Sequence, residues 1–93
     1  MNINEIKQIV VAQATKLGYK CEDRKSSSTD SWYFKLYASQ DVSLLFRVSN
    51  HTTQKNIITL RVDKGITRKD VERFVANRCR DLSYRKVKRI LGI

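Results

Sequence analysis

Ninety-three residues can enclose one hydrophobic core but not two, so a single domain is expected over residues 1–93. Hydrophobic residues at 41% and charged residues at 30% exclude the composition of a disordered chain, and the lack of an apolar run of about 18 to 20 residues excludes a membrane-spanning helix. Nineteen Lys and Arg against nine Asp and Glu leave a net charge of +10, which is self-repelling in so small a protein unless an anionic partner offsets it.

Along the chain, Ile3, Ile6, Val10, Ala14 and Leu17 recur at three- and four-residue steps, with Ile9 widening the stripe, and predict an amphipathic helix. Asn2 and Glu5 have capping-box spacing at its start, and Gly18 supplies the left-handed residue that follows many helices. Tyr19 to Lys25 reads as a short strand and Ser26 to Ser31 as a polar, mobile loop. Trp32 to Ala38 then alternates, with Trp32, Phe34, Leu36 and Ala38 on one face and Tyr33, Lys35 and Tyr37 on the other. After a turn at Ser39-Gln40-Asp41, Val42, Leu44, Phe46 and Val48 face inward while Ser43, Leu45 and Arg47 face outward, which makes a hairpin. A polar stretch, Ser49 to Lys55, leads to a strand over Asn56 to Val62, with Ile58, Leu60 and Val62 inward and antiparallel pairing as the simplest connection.

Thr67, with Asp70 three residues on, starts a second helix whose apolar stripe is Val71, Phe74, Val75, Cys79 and Leu82. Continued to Leu91, that helix would carry Val87 and Leu91 off the stripe. A break near Ser83 is therefore expected, with a short basic helix over 84–91. The predicted fold is α+β, in the order α-β-β-β-α(-α), with helices on one face of an antiparallel three- or four-stranded sheet.

The charge is uneven. Residues 64–93 hold ten bases (Lys64, Arg68, Lys69, Arg73, Arg78, Arg80, Arg85, Lys86, Lys88 and Arg89) against Asp70, Glu72 and Asp81, a net +7 that leaves +3 for the other 63 residues. Lys69, Arg73 and Arg80 share one solvent face of the second helix, where they can straddle phosphates, while Asp70 and Glu72 can instead neutralise part of that stripe. Arg85, Lys86, Lys88 and Arg89 form a denser tail, too short and weakly apolar to favour a membrane surface. The open sheet face offers a second platform. Tyr33 and Tyr37 beside Lys35 and Arg47 can stack bases and neutralise phosphates, or Leu45 and Ile57 with the tyrosines can form a homodimer interface.

Catalytic motifs are missing: no Gly-x-Ser-x-Gly, no P-loop and no Gly-x-Gly-x-x-Gly occurs. His51, at a strand end, reads as a turn histidine or as a contact to phosphate or base. One His and two Cys, Cys21 and Cys79, without Cys-x-x-Cys spacing cannot close a zinc site, so no metal and no cofactor are expected. Met1 leads into Asn2-Ile3-Asn4-Glu5 rather than an export signal, so reduced thiols and a cytoplasmic location are expected.

The helix, three-strand, helix order is similar to that of double-stranded RNA-binding domains, which implies phosphate contacts from Thr67-Arg68-Lys69-Asp70 at the start of the last helix. The lysine-rich run and the loop histidine of that family have no counterpart here. HicA-type RNA-cleaving toxins have a similar order, but their sheet histidine follows glycine and serine, where this chain has Ser31-Trp32-Tyr33-Phe34. Phe46-Arg47-Val48-Ser49-Asn50-His51, followed by a polar insert and a strand, resembles the strand-plus-Ser-Asn/Asp-His segment of small phage and prophage proteins, one of them a basic type II anti-CRISPR protein. That resemblance implies a mobile-element origin, the cytoplasm of a host cell, and interference with an RNA-guided nuclease through guide RNA or DNA.

The expectation is a non-enzymatic protein that binds RNA or DNA through Arg68, Lys69, Arg73, Arg80, Arg85, Lys86, Lys88 and Arg89, with Arg47, His51, Tyr33, Lys35 and Tyr37 as contacts from the sheet. The alternatives are an anti-CRISPR-type inhibitor of a ribonucleoprotein nuclease and a HicA-like toxin.

Overall fold

A computed structural model describes residues 2–25, 31–49, 57–62 and 65–92. The expected loop over 26–30, the polar stretch 50–55, Asn56 and His51 lie outside them. The element order is α1 (Ile3–Lys16), β1 (Lys20–Lys25), β2 (Ser31–Tyr37), β3 (Ser43–Ser49), β4 (Ile58–Arg61) and α2 (Arg68–Leu91), which is the α+β architecture expected.

Both helices begin where their caps place them. The Asn2 side chain accepts from the Glu5 backbone N–H at 2.9 Å. At α2, Thr67 Oγ1 accepts from the Asp70 N–H at 3.2 Å while Asp70 Oδ2 accepts from the Thr67 N–H at 2.9 Å, a complete capping box. Gly18, at φ +87, turns the chain out of α1, and the Tyr19 N–H donates to the Ala14 carbonyl at 2.9 Å.

The sheet order is β1-β2-β3-β4. β1 and β2 pair antiparallel, as do β2 and β3, with Phe34 opposite Phe46 and Leu36 opposite Leu44. Ser31, expected in the loop, opens β2 instead, and its hydroxyl donates to Ser49 Oγ at 2.8 Å. β4 departs from expectation because it runs parallel to β3, with Phe46 beside Ile58 and Val48 beside Leu60. Residues 50–57 contain no glycine and so lack the chemistry of a two-residue hairpin turn. The inward face of β4 is the one expected, since Leu60 and Val62 pack on the core and Ile58, at the edge, is 37% exposed.

One face of the sheet takes both helices. Ile6, Ile9, Val10 and Ala14 of α1 and Val71, Val75, Cys79 and Leu82 of α2 bury against Phe34, Leu36, Val42, Leu44, Phe46 and Val48. Each large side chain so buried contributes about 1.5–3 kcal/mol. The Phe34 and Phe46 rings stack at 5.2 Å between centroids, and Phe74 of α2 meets Phe46 edge-on at 5.4 Å. On the α1 side, Lys7 Nζ lies 4.4 Å from the centre of the Trp32 ring and 3.2 Å from Asp23 Oδ2, tying α1 to β1 and β2.

The break expected near Ser83 does not occur: α2 is one helix of 24 residues. Ser83, expected to cap a third helix, hydrogen-bonds with the Tyr19 hydroxyl instead. The rotation that suggested a break is real. Tyr84, Val87, Ile90 and Leu91 do leave the core stripe, but the helix carries them into solvent, with Ile90 74% exposed, rather than stopping. At about 1.5 Å per residue, α2 is about 36 Å long and accounts for most of the 41 Å long axis of the molecule.

These contacts predict an uneven response to change. Phe46→Ala should cost about 3–5 kcal/mol in urea denaturation. Removal of residues 84–93 should cost less than about 2 kcal/mol, because nothing described there is buried and its two contacts to the rest of the chain are exposed. A truncation as damaging as the Phe46 change would assign the tail to the core.

Candidate nucleic-acid interface

The core stripe of α2 fixes where its polar residues point. With Val71, Val75, Cys79 and Leu82 directed at the sheet, Lys69, Arg73 and Arg80 stand on the opposite ridge, and all three are exposed. The acids of α2 are engaged elsewhere. Asp70 closes the capping box, Glu72 lies 3.9 Å from Arg68, and Asp81 lies 3.3 Å from Arg78, whose guanidinium also sits 5.0 Å from the centre of the Phe74 ring. Among the described residues no ion pair involves Lys69, Arg73 or Arg80. Backbone and side-chain hydrogen bonds from Thr67, with a smaller pull from Arg73, hold the Asp70 carboxyl below its ordinary value, so it stays anionic at the positive end of the helix.

The tail divides. Arg85 Nη1 donates to the Ser43 carbonyl at 3.4 Å, and Arg89 Nη2 lies 3.6 Å from Asp41 Oδ2, so both arginines reach back to the β2–β3 turn. Such exposed contacts contribute about 1 kcal/mol or less each. Lys86 borders an open cleft of about 370 Å³ with Leu17, Tyr19, Ala38, Ser83 and Val87. Lys88 Nζ lies 5.1 Å from the centre of the Tyr84 ring. Arg68, the remaining expected contact on α2, faces α1, where it lines a hollow with Glu5, Gln8, Ile9 and Ala12.

The sheet face opposite the helices carries Tyr33, Lys35, Tyr37, Leu45, Arg47, Thr59 and Arg61, as the alternation requires. Two expectations change there. Arg47 is only 3% exposed, so it is not offered to a ligand at the surface. Tyr37 has its ring flanked by Lys35 at 5.3 Å and Lys20 at 5.7 Å, and its hydroxyl donates to Glu22 Oε2 at 3.2 Å, so stacking a base there would displace standing contacts. Lys20 and Arg24 of β1, opposite Tyr37 and Tyr33, add exposed bases to this face that the sequence reading missed. In Lys20-Cys21-Glu22-Asp23-Arg24 polar residues fall on both faces, so alternation gave no signal. Of the residues expected to form a homodimer interface on this face, Leu45 is 47% exposed and Ile57, Tyr33 and Tyr37 are half-buried.

Ridge and sheet face lie on opposite sides of a two-layer molecule, so a single straight contact reaches only one of them. Cys21 and Cys79 are free thiols. Burial, reinforced by Asp23, Cys79 and Glu22, pushes Cys21 up to about 12, and burial also raises Cys79, so neither is poised as a thiolate. No described helix is long and apolar enough to cross a membrane.

The Asp70 geometry has a testable sign. Its depressed value means that its contribution to stability is complete above the ordinary carboxyl range and is lost as pH falls through the depressed value. Urea denaturation should therefore find Asp70→Asn less stable than the parent at pH 7, with the difference shrinking toward pH 2. A difference independent of pH would remove the carboxylate from the account.

No protein family, no curated protein and no solved structure matches the chain.

Proposed function

We propose that this protein is a non-enzymatic nucleic-acid-binding protein that holds its ligand on the outward ridge of α2. The observation that carries the reading is the exposed line Lys69, Arg73 and Arg80, kept clear because Asp70, Glu72 and Asp81 are committed to the cap, to Arg68 and to Arg78. Three cations outside any described ion pair on one helix face repel one another, and a polyanion relieves that repulsion while releasing its own condensed counterions. The ridge is a better platform than the opposite sheet face, where Arg47 is buried and Tyr37 is occupied by two lysines. The free thiols accord with a reducing cytoplasm as the place of action.

Titration with duplex and single-stranded DNA and RNA at several salt concentrations tests this. For duplex DNA the logarithm of affinity should fall linearly with the logarithm of salt concentration, by about 0.9 for each phosphate neutralised. Replacing Lys69, Arg73 and Arg80 together by alanine should reduce the slope, by about 0.9 for each of the three that neutralises a phosphate, without unfolding the protein. Affinity no better than that of an unrelated protein of equal charge would sink the reading. Loss of binding only on Tyr33→Ala and Tyr37→Ala would move the site to the sheet.

A further inference from the structure

Between Arg73 and Arg80 the same ridge carries Asn77, four residues after the first and three before the second, so the three side chains form one strip on the helix surface. Among the described residues no side-chain hydrogen bond or ion pair engages any of them, although Asn77 is half-buried at the flank of the ridge. Their chemistry differs from that of a merely cationic stripe. A guanidinium presents a fork of donors that matches O6 and N7 of guanine, and a carboxamide presents one donor and one acceptor that match N7 and N6 of adenine. A guanidinium forks onto phosphate oxygens as well, so the arginines serve either contact; the uncharged Asn77 adds nothing to phosphate neutralisation and is the residue that points to a base edge.

The surroundings leave room for a base-pair edge. Arg68, about 100° around the helix from Lys69, faces α1 across the hollow bordered by Glu5 and Gln8, so α1 lies to one side of the ridge rather than over it. The core stripe and the sheet lie behind. A helix about 10–12 Å across enters the roughly 12 Å major groove of B-form DNA, whereas the narrow major groove of A-form RNA does not admit it. Arg73 and Arg80 are about 10.5 Å apart along the axis, about three base-pair steps at 3.4 Å.

We propose that α2 reads the major groove of duplex DNA, with Arg73, Asn77 and Arg80 on base edges and Lys69 on a flanking phosphate. This rests on the nucleic-acid reading above and narrows it to one ligand class.

The full chain is mixed with a duplex DNA library holding a random core of about ten base pairs, one helical turn, at about 0.15 M salt, and bound sequences are recovered. Fluorescence anisotropy then compares the enriched duplex, a scrambled duplex and an RNA duplex of the enriched sequence. The expected result is an enriched core of about three to five base pairs containing G and A, with roughly 5- to 150-fold discrimination for each bidentate contact. Asn77→Ala should relax preference at one base pair while leaving the salt slope intact. Arg73→Ala and Arg80→Ala, both at exposed positions, should each relax another; far-UV circular dichroism verifies that every variant is folded. An absent core, an RNA duplex bound equally well, or an Asn77→Ala variant with unchanged preference, with salt-dependent binding persisting, overturns duplex-DNA readout and leaves nucleic-acid binding standing. Loss of all salt-dependent binding in the parent protein overturns both.

Discussion

The contact on which the rest depends is the aromatic chain Phe34–Phe46–Phe74. The first two rings lock β2 to β3 on the covered face, and the third lays α2 across them edge-on. A helix on a sheet can slide and roll at little cost unless a side chain too large to relocate fixes its rotation. Phe74, with Val71 and Val75 beside it, sets that rotation, and so determines that Lys69, Arg73 and Arg80 point away from the sheet. A roll of a quarter turn would bury part of the ridge and expose the core stripe. The surface charge of this protein is therefore a consequence of how its interior packs.

Much of this was legible before any coordinates. Alternation in Trp32 to Val48 marked which face of β2 and β3 would be buried, because a period of two is a direct record of burial on one side. Thr67 and Asp70 marked the start of α2 through a mechanism that depends on only those two side chains. Strand direction was not legible: the alternation in Ile58 to Arg61 reads the same whether β4 runs with β3 or against it, and only the connection distinguishes them. The continuity of α2 was not legible either. Val87 and Leu91 rotate away from Leu82, which suggests a new core contact and hence a new helix, but the chain instead leaves them in solvent.

The candidate site shows the same division. Lys69, Arg73 and Arg80 could be placed together because helical periodicity relates them within one element. Arg47 could not be recognised as buried, since its outward position on β3 says nothing about what covers it. Arg85 and Arg89 counted as surface charge in the sequence, whereas both reach the turn between β2 and β3, a contact some forty residues distant that no local pattern encodes. Asn77 was overlooked because a single amide in a charged helix has no compositional weight. Its interest comes from position alone.

The uninterrupted run of α2 past Ser83 has a thermodynamic consequence. Its last two turns are helical with no buried side chain, held by intrahelical hydrogen bonds, the Gly92 terminus and the two arginine contacts to the turn. Order there is separable from order in the core, so local opening of this end requires only a small part of the global unfolding free energy. Amide protection should decline along a single helix, from high values near Val75 to low ones near Ile90. A partner that grips only the terminal turns would meet a segment it must help to order, and the entropy of ordering would make that grip weaken on warming before the domain itself melts.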